Sequence, residues 1–234
     1  MRACGICGAD LEKLHGLRVT PPILGHEVTG DIEDVGPEAK GYSRGDRVTV
    51  HHRVPCQTCF YCRHGDHTMC SDFPRSNLDP CGFAEYFRVP EINVSKGAVF
   101  HIPSSMSYEE AAFAEPTGCC IRGLNKLGVQ PGDDFLIVGA GPAGLTHIQL
   151  LRTLGARLIF ATDIVESRRR WAEKFGADET FNATLYSNST LLEKWTNIDI
   201  TAATAKTLSF NATWITKGTY ILSANITIVE NETD

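Results

Sequence analysis

The 234 residues contain no run approaching the roughly 18 consecutive apolar residues of a membrane span. The first residues, Met1-Arg2-Ala3-Cys4-Gly5, lack the apolar core of a secretory signal, so the sequence reads as cytoplasmic. Positive charge is also in short supply: 22 Lys and Arg against 28 Asp and Glu leave a formal net charge of −6. Without a basic footprint, nucleic acid is not expected as a partner, and neither is a membrane. A further scarcity is regional. All 9 Cys, all 8 His, all 11 Pro and every Gly except Gly218 lie before residue 181, and the remainder is rich in Thr, Ser and Asn. A compositional boundary therefore falls near residue 185, and metal or turn chemistry belongs to the part before it. At 42% apolar and 21% charged residues the composition is globular, with room for one large or two small domains.

What is present begins with Cys56, Cys59, Cys62 and Cys70, in the pattern C-x2-C-x2-C-x7-C. Four thiolates at such short spacings let one loop wrap a tetrahedral Zn2+ and leave no open coordination position. A disulfide framework or an iron–sulfur cluster is the alternative. Disulfide frameworks belong to short exported chains, so structural zinc is favoured. Upstream stand Cys7-Gly8-Ala9-Asp10 and, after Pro21-Pro22, Gly25-His26-Glu27. One thiolate, one imidazole and one carboxylate on an ion would leave a fourth position for water or substrate, which distinguishes catalytic from structural zinc.

The apolar run Phe135 to Val138 leads into Gly139-Ala140-Gly141-Pro142-Ala143-Gly144 and then an apolar-periodic segment, Leu145 to Leu154. In strand–turn–helix context the first glycine permits the turn, the second admits pyrophosphate to the backbone and the third allows close helix packing. A second strand, Arg157 to Thr162, ends at Asp163, where a ribose-binding carboxylate belongs. Asp163 would accept from the ribose hydroxyls and repel a 2′-phosphate, favouring NAD over NADP. Arg168 either meets the cofactor's adenine or phosphate, or is a solvated charge of the Arg168-Arg169-Arg170 run. Trp171, Ala172 and Phe175 read as the core face of the following helix. His51 and His52 either line the cleft or are exposed residues at a strand end, His64 and His67 read as surface, and Cys119 and Cys120 as core.

These motifs, with Gly45-Asp46-Arg47-Val48, Gly82 to Tyr86 and Glu115-Pro116 in order between them, resemble the zinc-dependent medium-chain alcohol dehydrogenase family. The resemblance runs from about Ala3 to Ala183 and is strongest to the polyol branch containing sorbitol (L-iditol) dehydrogenases. It implies that Cys7 and His26 are catalytic-zinc ligands, and that Glu27 and Glu115 match the acidic positions that complete the site or hold the zinc-bound water. It implies two zinc ions, one catalytic and one structural, with NAD and a small-molecule alcohol or polyol as partners, and allows a homo-oligomer. Ala9 departs from the pattern: family members carry Ser or Thr there to relay the alcohol proton, and a methyl group cannot pass one.

The fold expected is mixed α and β: a partial GroES-like β-barrel with a zinc lobe over 1–117, the first half of a Rossmann dinucleotide-binding domain over 118–184, and a small all-β tail over 185–234. Relative to the family pattern the sequence is cut at both ends, which leaves two readings: an enzyme, active or silent on its own, and a non-catalytic, zinc-stapled remnant joined to a structural or surface β module. In the tail Leu208, Phe210, Ala212 and Trp214, then Tyr220, Leu222, Ala224, Ile226 and Ile228, alternate with hairpin period. Glycosylation acceptors of the form N-x-S/T stand at Asn93, Asn182, Asn188, Asn211, Asn225 and Asn231.

Overall fold

The computed structural model describes residues 1–15 and 24–182, and beyond them the backbone of four short strands within 198–229. The chain divides into two compact units, Met1–Pro116 and Thr117–Asp234.

The first unit is built on an antiparallel sheet. Its elements are β1 (Ala3–Gly5), α1 (Gly8–Leu14), β2 (Glu27–Asp31), β3 (Arg47–His51), α2 (Phe60–Arg63), α3 (Glu91–Ser95), β4 (Val99–His101) and α4 (Tyr108–Ala112), with sheet order β1-β2-β3-β4. The expected partial barrel is thus an open four-stranded sheet among the described residues. In β3, Val48 and Val50 turn inward while Arg47, Thr49 and His51 lie between, the period-two pattern of a sheet with one covered face. Val28, Val48, Val50 and Leu78 form its core. The register sets Gly5 opposite Glu27 and Glu27 opposite His51, so three adjacent strands deliver these residues to one end of the sheet.

The second unit begins in α5 (Ala114–Leu127), which contains the boundary, and continues through β5 (Asp134–Val138), α6 (Pro142–Thr153), β6 (Leu158–Thr162), α7 (Glu166–Lys174) and β7 (Glu179–Phe181). The strands β5, β6 and β7 pair in parallel. The sequences of β5 and β6, DFLIV and LIFAT, are almost wholly buried, because a parallel strand is covered on both faces. Phe135, Ile137, Ile148, Leu151, Ile159 and Ala172 meet in this core. Trp171 does not join them: it is 47% exposed, with the Lys174 ammonium 4.4 Å above its ring. Ala172 and Phe175 supply the packing expected of that face.

In the tail, β8 (Ile198–Thr201), β9 (Thr207–Phe210) and β11 (Ile226–Val229) form an antiparallel sheet, and β10 (Ile221–Ser223) pairs antiparallel with β5. The side-chain alternation read from the tail, its acceptor sites Asn188, Asn211, Asn225 and Asn231, and Pro21-Pro22 lie outside the described residues.

Candidate functional site

The start of α1 and the start of β2 bring three ligand atoms together. The Cys7 thiol, a ring nitrogen of His26 and a carboxylate oxygen of Glu27 all lie within 4.8 Å of one another. Glu27 turns its carboxylate over β1, where position 5 has no side chain: a Cβ on Gly5 would stand 1.9 Å from Glu27 Oε2. The loop carrying His26 is fixed from the other side. Gly25 adopts φ +78°, and the amides of Gly82 and Phe83 donate to the carbonyls of Gly25 and Leu24 at 3.1 and 3.2 Å. That contact explains the Gly82 motif, since a Cβ there would meet the Gly25 carbonyl at 2.5 Å.

The residue behind this cluster that sequence reading passed over is Asp10. It is 1% exposed and accepts from the amides of Cys7 at 3.2 Å and Gly25 at 3.0 Å. Its Oδ1 also faces His26 Nδ1 at 3.4 Å and Lys13 Nζ at 3.7 Å. A carboxylate on one imidazole nitrogen fixes the ring and frees the other nitrogen for a metal. The signal was present, because Asp10 is the third residue of a helix that starts after Cys7 and reaches back to its backbone.

Glu115 does not enter the three-residue group, but its charge reaches it, raising both the Cys7 thiol and the Glu27 carboxyl. In each case burial is the larger cause. A metal taken up here must displace protons held by burial, so affinity should rise with pH until the thiol ionises unaided. Cobalt titrations at several pH values are expected to tighten by up to about tenfold per pH unit for each proton displaced; a flat profile would count against these ligands.

His51 and His52 are not simply exposed. His52 lies with its ring centroid 4.8 Å from that of His26 and 5.6 Å from that of His51. Burial pushes its pKa down to about 2, so its ring is neutral. Asn93, fully buried, donates through Nδ2 to the carbonyls of His51 at 3.2 Å and His52 at 3.0 Å.

The second cluster contains Cys56, Cys59, Cys62 and Cys70, whose sulfurs all lie within 4.8 Å of one another. Thiolates about 2.3 Å from a tetrahedral ion stand roughly 3.8 Å apart. The Cys56–Cys62 separation is 3.8 Å and the Cys59–Cys62 separation 3.5 Å, and all nine cysteines are free of disulfides. Gln57 takes φ +67°, turning the amides of Thr58 and Cys59 toward Cys56 Sγ at 3.4 and 3.2 Å. These donors and the Thr58 hydroxyl hold the Cys56 thiol down to about 6. Both donor sets fit zinc: one closed, the other open on one side. His64 and His67 remain exposed on this lobe.

In the second unit Gly139, at φ +95°, makes the turn, Gly141 precedes α6 and Pro142 opens it, followed by Ala143 and Gly144. A Cβ on Gly144 would lie 2.0 Å from the Gly139 carbonyl. Gly144→Ala should therefore weaken NADH binding more than tenfold while both metals stay bound, measured by fluorescence titration; unchanged affinity would remove the turn from the cofactor site. Asp163 is 7% exposed and accepts from the amides of Ala140 at 3.0 Å and Val165 at 2.8 Å, with Arg168 Nη1 3.6 Å away. A carboxylate has about four acceptor sites, so Asp163 keeps capacity for ribose hydroxyls. Cys120 is buried between α5 and α6 and Cys119 is exposed.

Three ligands that would hold an ion from one side only, in a chain that also folds a dinucleotide turn, match the equipment of zinc-binding dehydrogenases. Residues 1–103 match the alcohol dehydrogenase GroES-like domain, and the chain belongs to the zinc-dependent medium-chain dehydrogenase family. It is 36% identical to sorbitol dehydrogenase of Bacillus subtilis (strain 168) over 188 residues, 77% of this chain and 52% of that protein. It is equally, at 36%, similar to L-threonine 3-dehydrogenase of Pyrococcus abyssi, over 77% of this chain and 52% of the relative. Among solved structures, a zinc-binding dehydrogenase from Sinorhizobium meliloti 1021 bound to NADP matches with TM-score 0.69 and 33% identity, covering 77% of this chain and 52% of the other. The chain thus spans about half the length of these relatives. No helix among the described residues is long and apolar enough to cross a membrane.

Proposed function

We propose that this chain serves an NAD-linked, zinc-dependent oxidation of a secondary alcohol in a polyol or sugar. The observation that carries the reading is the convergence of Cys7, His26 and Glu27 within 4.8 Å, backed by buried Asp10. When bound, zinc supplies Lewis acidity toward an alcohol oxygen and NAD accepts the hydride.

The residues themselves do the rest. Asp10 holds the His26 ring through Nδ1, and the bare backbone at Gly5 lets Glu27 turn inward. Glu27, raised by burial and by Glu115, is placed to take up a proton where Ala9 has no hydroxyl to pass one. The turn Gly139 to Gly144 offers the first amides of α6 to pyrophosphate, and Asp163 favours an unphosphorylated ribose, hence NAD over NADP. The closed four-cysteine cluster holds its lobe and leaves no position for substrate. A cytoplasmic site of action and a homo-oligomer accompany this reading.

The test is an assay of the full chain, loaded with two zinc ions, with NAD and a panel of polyols, sugars and L-threonine. NADH should accumulate with a polyol and require Cys7 and His26. A flat trace with zinc fully bound would overturn the reading, and a response to threonine alone would move the substrate class.

A further inference from the structure

We propose that His52 is a specificity residue that hydrogen-bonds a hydroxyl neighbouring the reacting carbon, selecting polyhydroxylated over simple alcohols. The inference rests on the dehydrogenase reading and adds the residue that recognises the polyol.

His52 sits on the cluster, its ring centroid 4.8 Å from that of His26 and the planes inclined at 50°. Its position is fixed. Asn93 Nδ2 holds the carbonyls of both His51 and His52, and His51 stacks behind at an interplanar angle of 12°. Unlike its neighbour, His52 is unspent: His51 Nδ1 is engaged with the Arg53 carbonyl at 2.6 Å, whereas His52 Nδ1 is buried with no hydrogen-bond partner among the described residues.

An imidazole nitrogen is a hydrogen-bonding group in either tautomer, and leaving one unpaired inside a protein is costly. If packing against His26 were the whole role, an apolar ring would serve better. An imidazole kept beside an open metal-ligand set is instead completed by a ligand with hydroxyls to spare. A site of this kind rejects analogues lacking the hydroxyl, because its own polar group is then stranded. Position 9 supplies no competing hydroxyl, since it is alanine.

The experiment compares xylitol with 2-pentanol, a polyol and a simple secondary alcohol of equal carbon number. Both are titrated calorimetrically into the zinc-loaded full chain with NADH present, for the wild type, His52→Phe and His52→Gln. His52→Phe should weaken xylitol about tenfold, the worth of one hydrogen bond, and leave 2-pentanol and zinc content unchanged. His52→Gln should recover part of the loss. In the wild type, nitrogen resonances of the His52 ring should shift with xylitol and not with 2-pentanol, a readout that holds even if the phenylalanine variant loses its metal. Unchanged xylitol binding in His52→Phe, equal losses for both alcohols, or immobile ring resonances would overturn the proposal. A wild type that binds 2-pentanol but not xylitol overturns it together with the polyol substrate class, while sparing the zinc-dependent alcohol dehydrogenase reading; one that binds neither overturns both.

Discussion

Cys62→Ser is expected to leave the chain with about one zinc ion in place of two. Cys62 is buried at 7% exposure and lies 3.8 and 3.5 Å from two of its three partner sulfurs, and a serine hydroxyl does not supply the thiolate that such a site takes. A metal that binds only the folded state stabilises it by mass action, and the lobe has little apolar core of its own. Phe60, Tyr61 and Met69 around it are exposed, at 68%, 43% and 61%. Loss of the ion should lower the melting temperature by about 10 °C or more and open the segment from Cys56 to Cys70 to proteolysis. Metal analysis and limited digestion read both effects. Retention of two zinc ions by the serine variant would show that the cluster is not a four-thiolate site.

Asp10→Ala is the second large change. It strips a buried carboxylate from the amides of Cys7 and Gly25 and from His26 Nδ1, and removes the oxygen 3.7 Å from Lys13 Nζ. Breaking a buried, hydrogen-bonded charge arrangement costs about 3–5 kcal/mol, which urea denaturation would detect. Metal affinity at the Cys7 cluster should fall between about 10- and 100-fold, the usual effect of losing the group behind a ligating histidine. Asp10→Asn separates the two effects: its one carbonyl oxygen can keep an amide partner but not the charge facing His26. An asparagine variant equal to the wild type in cobalt affinity would deny Asp10 its orienting role.

The parts legible from sequence were those whose chemistry is local. Spacing alone marked Cys56, Cys59, Cys62 and Cys70, because a loop around an ion needs its ligands close in the chain. The glycine turn and Asp163 were legible for the same reason: strand, turn, helix and strand form one continuous unit, found as β5, α6 and β6. Cys7, His26 and Glu27 needed the order of several motifs, since the first two stand 19 positions apart and meet through the pairing of β1 with β2 and through Asp10. Asp10 was in plain sight as a residue of the motif, yet its burial depends on Gly25 folding onto it. His52 could be read from sequence as exposed or as lining the cleft, because its cover, Asn93 and the His26 ring, comes from distant segments. That Glu27, and not Glu115, groups with Cys7 and His26 likewise follows from the register that sets Glu27 against Gly5, information carried by pairing and not by residue type.

Asn93 has a consequence for how this chain can be made. It opens the tripeptide Asn93-Val94-Ser95, a form whose asparagine nitrogen can accept an oligosaccharide in secretory compartments. That same nitrogen holds the carbonyls of His51 and His52, in a residue with no exposed surface. Sugar transfer before folding would block the clamp, and folding first hides the acceptor from the transferase. Modification at 93 and assembly of the histidine face are therefore mutually exclusive fates of one polypeptide.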